Sequence, residues 1–134
     1  MAHVTAQAAI LVTKVYQQAI GYWRDKLGFV VASEFGEPPA FAILQRDEAR
    51  VMIGQAKPEV SIIPYSAQRD GLWNAYFWVD DASAFYQDCT ARGAIIDYHL
   101  ETKPYGVLEF GVRDLDGHDI GFGQVLDDSL SRVP

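Results

Sequence analysis

Apolar positions recur with two different periods along this chain, and the two periods alternate in the same order twice. The run AAILVT reads as a strand. It is followed by VYQQAIGYWRDKLG, where Val15, Ala19, Ile20, Trp23 and Leu27 return at helical spacing and Gly28 supplies a stop. Three strand-like runs then follow, FVVASEF, AFAILQR and ARVMIGQ, separated by turn-like residues at 36–39 and 47–48. The second half repeats this order. WNAYFWV is a strand, and Asp80 and Asp81 are placed to cap the helix ASAFYQDCTAR, which stops at Gly93. The strands AIIDYHL, GVLEFGV and HDIGFGQ complete it.

The halves align at several landmarks: Val12 with Val79, Gly28 with Gly93, Arg46-Asp47 with Arg113-Asp114, and Gly54-Gln55 with Gly123-Gln124. Each half is therefore a β-α-β-β-β unit, and the fold class is α+β. One domain spans residues 1–134, with a first module over about 5–56, a linker over 57–70, a second module over about 71–125 and a loose tail at 126–134. A four-stranded sheet with one helix covers only one of its faces. The bare face must meet a partner or a ligand.

Strand alternation indicates which side chains reach that bare face. In the second module it selects Asn74, Tyr76 and Trp78, then Glu109 and Gly111, then Asp119, Gly121 and Gly123. In the first it selects Met52 and Gly54. For the opening strand we expect Ala8, Ile10 and Val12 to point inward, leaving Gln7, Ala9 and Leu11 on the open side. Aromatic walls beside missing side chains can form a cleft for a planar or bulky guest. The same aromatics could equally pack against the other module or a second subunit.

Composition narrows the function classes. At 49% hydrophobic and 22% charged the chain is globular. Its net charge of −7 argues against nucleic acid and favours a cationic guest. No apolar run is long enough to span a membrane. The opening residues lack a signal-peptide pattern, and the single cysteine, Cys89, reads as a buried thiol, so the cytoplasm is the expected compartment. His118, in DLDGHDI, reads as part of a turn with Asp114, Asp116 and Gly117 rather than a calcium loop. His99 reads as a surface residue, and His3 lies far out near the terminus. No serine sits in a nucleophile elbow.

The segments YWRDKLGF, FWVDDASAFYQ and RDLDGHDIGFGQ are similar to signatures of the vicinal oxygen chelate superfamily, which holds glyoxalases, bleomycin-resistance proteins and extradiol dioxygenases. WNAYFWVDDASAFY and AFAILQRDEARVMI resemble segments of its metal-free bleomycin-resistance members. The resemblance covers about residues 5–125 and implies paired modules curling into a cleft, commonly in a homodimer with two clefts. It also implies that metal-using members would place their ligands at Gln7, Met52, Asn74 and Gly121. Two amides, a thioether and a hydrogen make a poor divalent-metal site.

The leading expectation is thus a metal-independent protein, without cofactor, that binds and sequesters a small molecule. Trp78, Tyr76, Glu109, Asn74, Gln7, Met52 and Tyr105 are the candidate ligand-binding residues, with Trp73 near the rim. Trp78 and Tyr76 would stack on planar parts of the guest, and Glu109 would favour a cationic one. The alternatives are a glyoxalase-type lyase or isomerase with a degenerate metal site, with Glu109 as base, and an interaction module whose bare face only dimerises.

Overall fold

The structure, a computed structural model, describes residues 1–126; the tail expected at the C-terminus lies almost wholly outside them. The first module runs β1 (Ala9–Thr13), α1 (Tyr16–Asp25), β2 (Val30–Phe35), β3 (Phe41–Arg46) and β4 (Ala49–Gln55). A four-residue helix, α2 (Tyr65–Gln68), lies in the connection. The second module runs β5 (Ala75–Trp78), α3 (Ala82–Arg92), β6 (Ile95–Thr102), β7 (Val107–Arg113) and β8 (Asp119–Val125). Each module forms one open four-stranded mixed sheet, ordered β1-β4-β3-β2 and β5-β8-β7-β6. In both, the first strand pairs in parallel with the last and the other pairs are antiparallel.

The aligned landmarks do equivalent work in the two modules. Gln55 Oε1 accepts the Tyr16 N–H at the start of α1, and Gln124 Oε1 accepts the Ala82 N–H at the start of α3. Each glutamine sits at the end of a sheet's last strand and satisfies an amide that the helix itself leaves without a partner. Asp81 adds its own cap by accepting the Ala84 N–H at 3.0 Å. Both helix ends turn through glycines at positive φ, Gly28 at 76° and Gly93 at 84°, a conformation that a side chain would strain.

The helices cover one side of the sheets, and the buried side chains of both modules form one cluster that includes Trp23, Leu44, Ile53, Phe110 and Phe122. Cys89 lies within it, and burial pushes its thiol up to about 11. The modules are stitched together across this core. The Tyr22 hydroxyl donates to the Arg113 carbonyl at 2.7 Å and accepts the Ile95 N–H at 2.9 Å. Arg46 donates to the Leu27 carbonyl, pairs with Asp88 at 3.1 Å and lies 4.0 Å from the centre of the Phe85 ring. The connection is anchored by Lys14, whose ammonium donates to the carbonyls of Lys57, Pro58 and Val60.

One expectation about side-chain direction is overturned. Leu11 is buried and Ala9 half-buried on the helix side, whereas Ile10 and Val12 face away from it, Ile10 at 71% exposure. Ile10 pairs in register with Met52, and Val12 with Gly54, so all four share the open face. Alternation alone does not decide this strand, because both of its faces are apolar. With Phe35, Phe41 and Ile43 on the same side, the open face of the first module is a bare apolar surface.

Candidate ligand site

The open face of the second module is built around glycines. Register places Tyr76 beside Gly121, Trp78 and Glu109 beside Gly123, and Tyr98 beside Gly111. A β-carbon at Gly121 would lie 2.6 Å from the Tyr76 ring and 2.7 Å from the Trp73 indole nitrogen. One at Gly111 would collide with the Tyr98 ring, and one at Gly123 with the Tyr76 hydroxyl and Val107. The missing side chains thus let aromatic rings lie down on the sheet.

Those rings converge on one acid. Glu109 is 1% exposed, and three phenols donate to its carboxylate. Tyr76 reaches Oε1 at 2.8 Å, Tyr98 reaches Oε2 at 2.7 Å, and Tyr105 bridges both oxygens at 2.9 and 2.8 Å. The Tyr98 oxygen also accepts the Trp73 indole N–H at 3.0 Å, so its single proton is free to point at Glu109. Burial, and then the hydrogen bond to the Glu109 carboxylate, pushes the hydroxyls of Tyr76, Tyr98 and Tyr105 well above the usual phenol range. All three are therefore proton donors across the physiological range.

Above this floor lies a groove of about 460 Å3 lined by Trp73, Tyr76, Trp78, Tyr105, Val107 and Val125. Its walls meet edge to face: Trp73 and Tyr76 at 4.6 Å and 62°, Tyr76 and Trp78 at 5.2 Å and 64°. Trp78 is 69% exposed, a large apolar side chain left open to a guest or partner.

The profile of the glyoxalase/bleomycin resistance protein/dioxygenase superfamily matches residues 1–122. The chain belongs to that superfamily. No curated protein sequence matches it. Among solved structures it is similar to TioX from Micromonospora sp. ML1, with a TM-score of 0.72 at 23% identity over 92% of this chain and 100% of the other. It is also similar to a bleomycin resistance determinant encoded on the transposon Tn5, with a TM-score of 0.71 at 18% identity over 91% and 98%. A bleomycin-binding protein from bleomycin-producing Streptomyces verticillus, solved with copper(II)-bleomycin, gives a TM-score of 0.67 at 26% identity over 91% and 97%.

The metal positions that superfamily membership suggests do not fit a divalent ion here. Gln7 is exposed ahead of β1. Asn74 spends its side-chain oxygen on the Tyr65 N–H at 3.2 Å. Met52 offers only a thioether, and the space in front of Gly121 is filled by the Tyr76 and Trp73 rings. The cluster of Asp114, Asp116 and His118 is a self-satisfied turn. Asp114 accepts the Asp116 and His118 N–H groups and the His118 ring at 2.7 Å, and Asp116 accepts the Lys14 N–H.

Of the candidate residues, Tyr76, Trp78 and Tyr105 line the aromatic groove, with Glu109 directly beneath. Gln7 lines a second cavity, of about 610 Å3, with Tyr76 and Trp78, and meets Asn74 and Tyr76 in another of about 290 Å3 near Arg50 and Glu48. Met52 lies on the first module's open face. Asp119 is held by Arg113 at 2.9 Å. His99 is on the surface, though it does have a partner, the Tyr86 hydroxyl at 2.8 Å. Sequence reading missed Tyr98. Register shifts on either side of it break the alternation that would have placed it on the open face, while its partner Gly111 was legible.

Proposed function

We propose that the chain is a small-molecule binding protein that sequesters its guest in the aromatic groove without metal or chemical turnover. The observation that carries this reading is the groove walled by Trp73, Tyr76, Trp78 and Tyr105 over the buried Glu109 carboxylate. Stacking area and a negative charge suit a guest that is planar in part and cationic. Both carboxylate oxygens are occupied by hydrogen bonds from phenols, so neither is aimed at a proton of the guest as a general base would be. The solved bleomycin-binding protein, 26% identical, supports the choice of ligand class.

The working unit in this reading is a homodimer. Ile10, Val12 and Phe35 are exposed on the first module's open face, and Trp78 and Tyr105 on the second's. A second copy would cover the first module's apolar face and leave the grooves beside Trp78 and Tyr105 open to a guest. Among the described residues no helix is long and apolar enough to cross a membrane. A reducing cytoplasm suits the free, buried Cys89 thiol.

The test is a calorimetric titration of metal-stripped protein with a metal-free bleomycin-type glycopeptide. The reading expects micromolar or tighter binding at about one guest per subunit, a Kd of about 1 µM corresponding to roughly 8 kcal/mol. Absence of heat removes bleomycin-type glycopeptides as the ligand class. Turnover of a glutathione hemithioacetal on adding zinc, nickel or manganese would replace the binder with a lyase.

A further inference from the structure

The carboxylate of Glu109 is shielded by three phenols that differ in how firmly they are held. Tyr76 and Tyr98 lie flat on glycines of the sheet, and Tyr98 is pinned further by the Trp73 N–H. Tyr105 belongs to neither arrangement. It sits in the turn joining β6 and β7, is 45% exposed, and forms part of the groove wall. Its hydroxyl straddles both carboxylate oxygens, while Tyr76 and Tyr98 each hold one. If Tyr105 swings out, each oxygen keeps one donor and gains one free lone-pair direction, both facing the groove.

The charge around this seat is uncompensated. Among the described residues every hydrogen bond to the carboxylate comes from a neutral phenol, and Glu109 forms no ion pair. The ammonium of Lys103, in the same turn, lies 4.6 Å from the centre of the Tyr98 ring and is paired with Glu101. A cation that reached Glu109 would add an opposite charge, which the neutral phenols do not supply.

We propose that Tyr105 is a displaceable plug over Glu109, and that the guest carries a protonated amine or guanidinium whose N–H groups replace the Tyr105 hydroxyl on the carboxylate. This deepens the binding reading and rests on the aromatic groove being the site. It also sets a specificity rule. A quaternary ammonium can lie against the aromatic walls, but it has no N–H to give the two oxygens Tyr105 vacates.

The test uses three benzyl probes, benzylammonium, benzyltrimethylammonium and benzyl methyl ether, titrated against the full chain and read by tryptophan quenching. The plug predicts that benzylammonium binds tightest. It predicts that Tyr105→Phe, which keeps the ring and removes the hydroxyl, tightens benzylammonium by about fivefold to tenfold, the worth of about one hydrogen bond. The same variant does not tighten benzyl methyl ether, which has no N–H to give the carboxylate, and Glu109→Gln abolishes the preference for benzylammonium.

Weaker or equal benzylammonium binding by Tyr105→Phe overturns the plug, as does benzyltrimethylammonium binding as tightly as benzylammonium. In both cases the groove still holds its aromatic guests, and the binding reading survives. Failure of all three probes to quench would remove the groove as the site, and the plug with it. Should Glu109→Gln fail to fold, the Tyr105→Phe result decides alone.

Discussion

The Tyr98 hydroxyl accepts the Trp73 indole N–H at 3.0 Å and donates its own proton to Glu109 Oε2 at 2.7 Å. The chain of bonds has a direction, from indole to phenol to carboxylate, and it ties a wall of the groove to the acid under its floor. Hydrogen bonds arranged in series inside a protein reinforce one another. The groove's shape and its charge are therefore set together.

Removing the acid should destabilise the fold rather than merely the site. Glu109→Ala leaves the hydroxyls of Tyr76, Tyr98 and Tyr105 without their acceptor beside a new cavity. The expected loss is on the order of 3 kcal/mol, read as a lower midpoint in urea unfolding. A midpoint within about 0.5 kcal/mol of the native protein would show that the phenols find other partners.

The glycine seats should be intolerant in a way that backbone strain does not explain. Gly121→Ala pushes a methyl group into Tyr76 and Trp73. It should cost about 1–3 kcal/mol and alter tryptophan emission. Gly71→Ala is the control. Its φ of 74° is strained for alanine, but its β-carbon would meet nothing within 4 Å. That change should cost about 1 kcal/mol and leave the emission spectrum as it was. Equal spectra for both variants would mean the rings are not seated on Gly121.

The matched glutamines offer a test of the internal repeat. Gln55→Ala and Gln124→Ala each remove the acceptor for the first amide of a helix. Each should cost about 1 kcal/mol by chemical denaturation, with helix content retained. The Gln124 loss should be the smaller one, because Asp81 still caps α3 while α1 has no side-chain cap of its own.

Alkaline pH should weaken the protein through its buried phenols. Their unfolded value is 10, and folding raises those of Tyr76, Tyr98 and Tyr105, while Tyr16, buried and bonded to Glu34, is pushed up to about 12. The unfolded chain then gives up protons that the folded chain keeps. The stability linked to these groups is whole below about pH 10 and declines as pH rises through 10 to 12 and beyond. An ultraviolet phenolate titration should show a fraction of the seven tyrosines ionising only with unfolding. A single transition near 10 for all of them would contradict the buried cage.

The dimer predicts a different sensitivity. Ile10→Glu places a charge on an exposed position, so the subunit should fold normally but sediment as a monomer. An unchanged sedimentation coefficient would move the interface elsewhere or remove it.

The repeat, the element order and most of the open face were legible in the sequence, since alternation in β7 and β8 separates bulky residues from glycines or polar ones. The inversion of β1 was not legible, for Ile10 and Leu11 are equally apolar and only tertiary packing chooses between them. Glu109 could be placed on the open face by parity. Its burial could not, because it depends on Tyr98 and Tyr105 arriving from β6 and the following turn. Gln7 and Asn74 stand at matching strand starts, yet the side chain of Asn74 is taken by the connection before β5.

Tryptophan emission tests the central claim most directly, because the three indoles sit in different places: Trp23 is 1% exposed in the core, Trp73 forms a wall, and Trp78 is 69% exposed at the groove. The measurement is a titration of native protein and of Trp78→Ala with the metal-free bleomycin-type glycopeptide. A guest in the groove predicts saturable quenching in the native protein, a blue shift as Trp78 leaves water, and at least tenfold weaker binding for Trp78→Ala, about 1.4 kcal/mol. Equal affinity for the two proteins, with quenching retained in Trp78→Ala, would place the guest outside the groove and contradict the account.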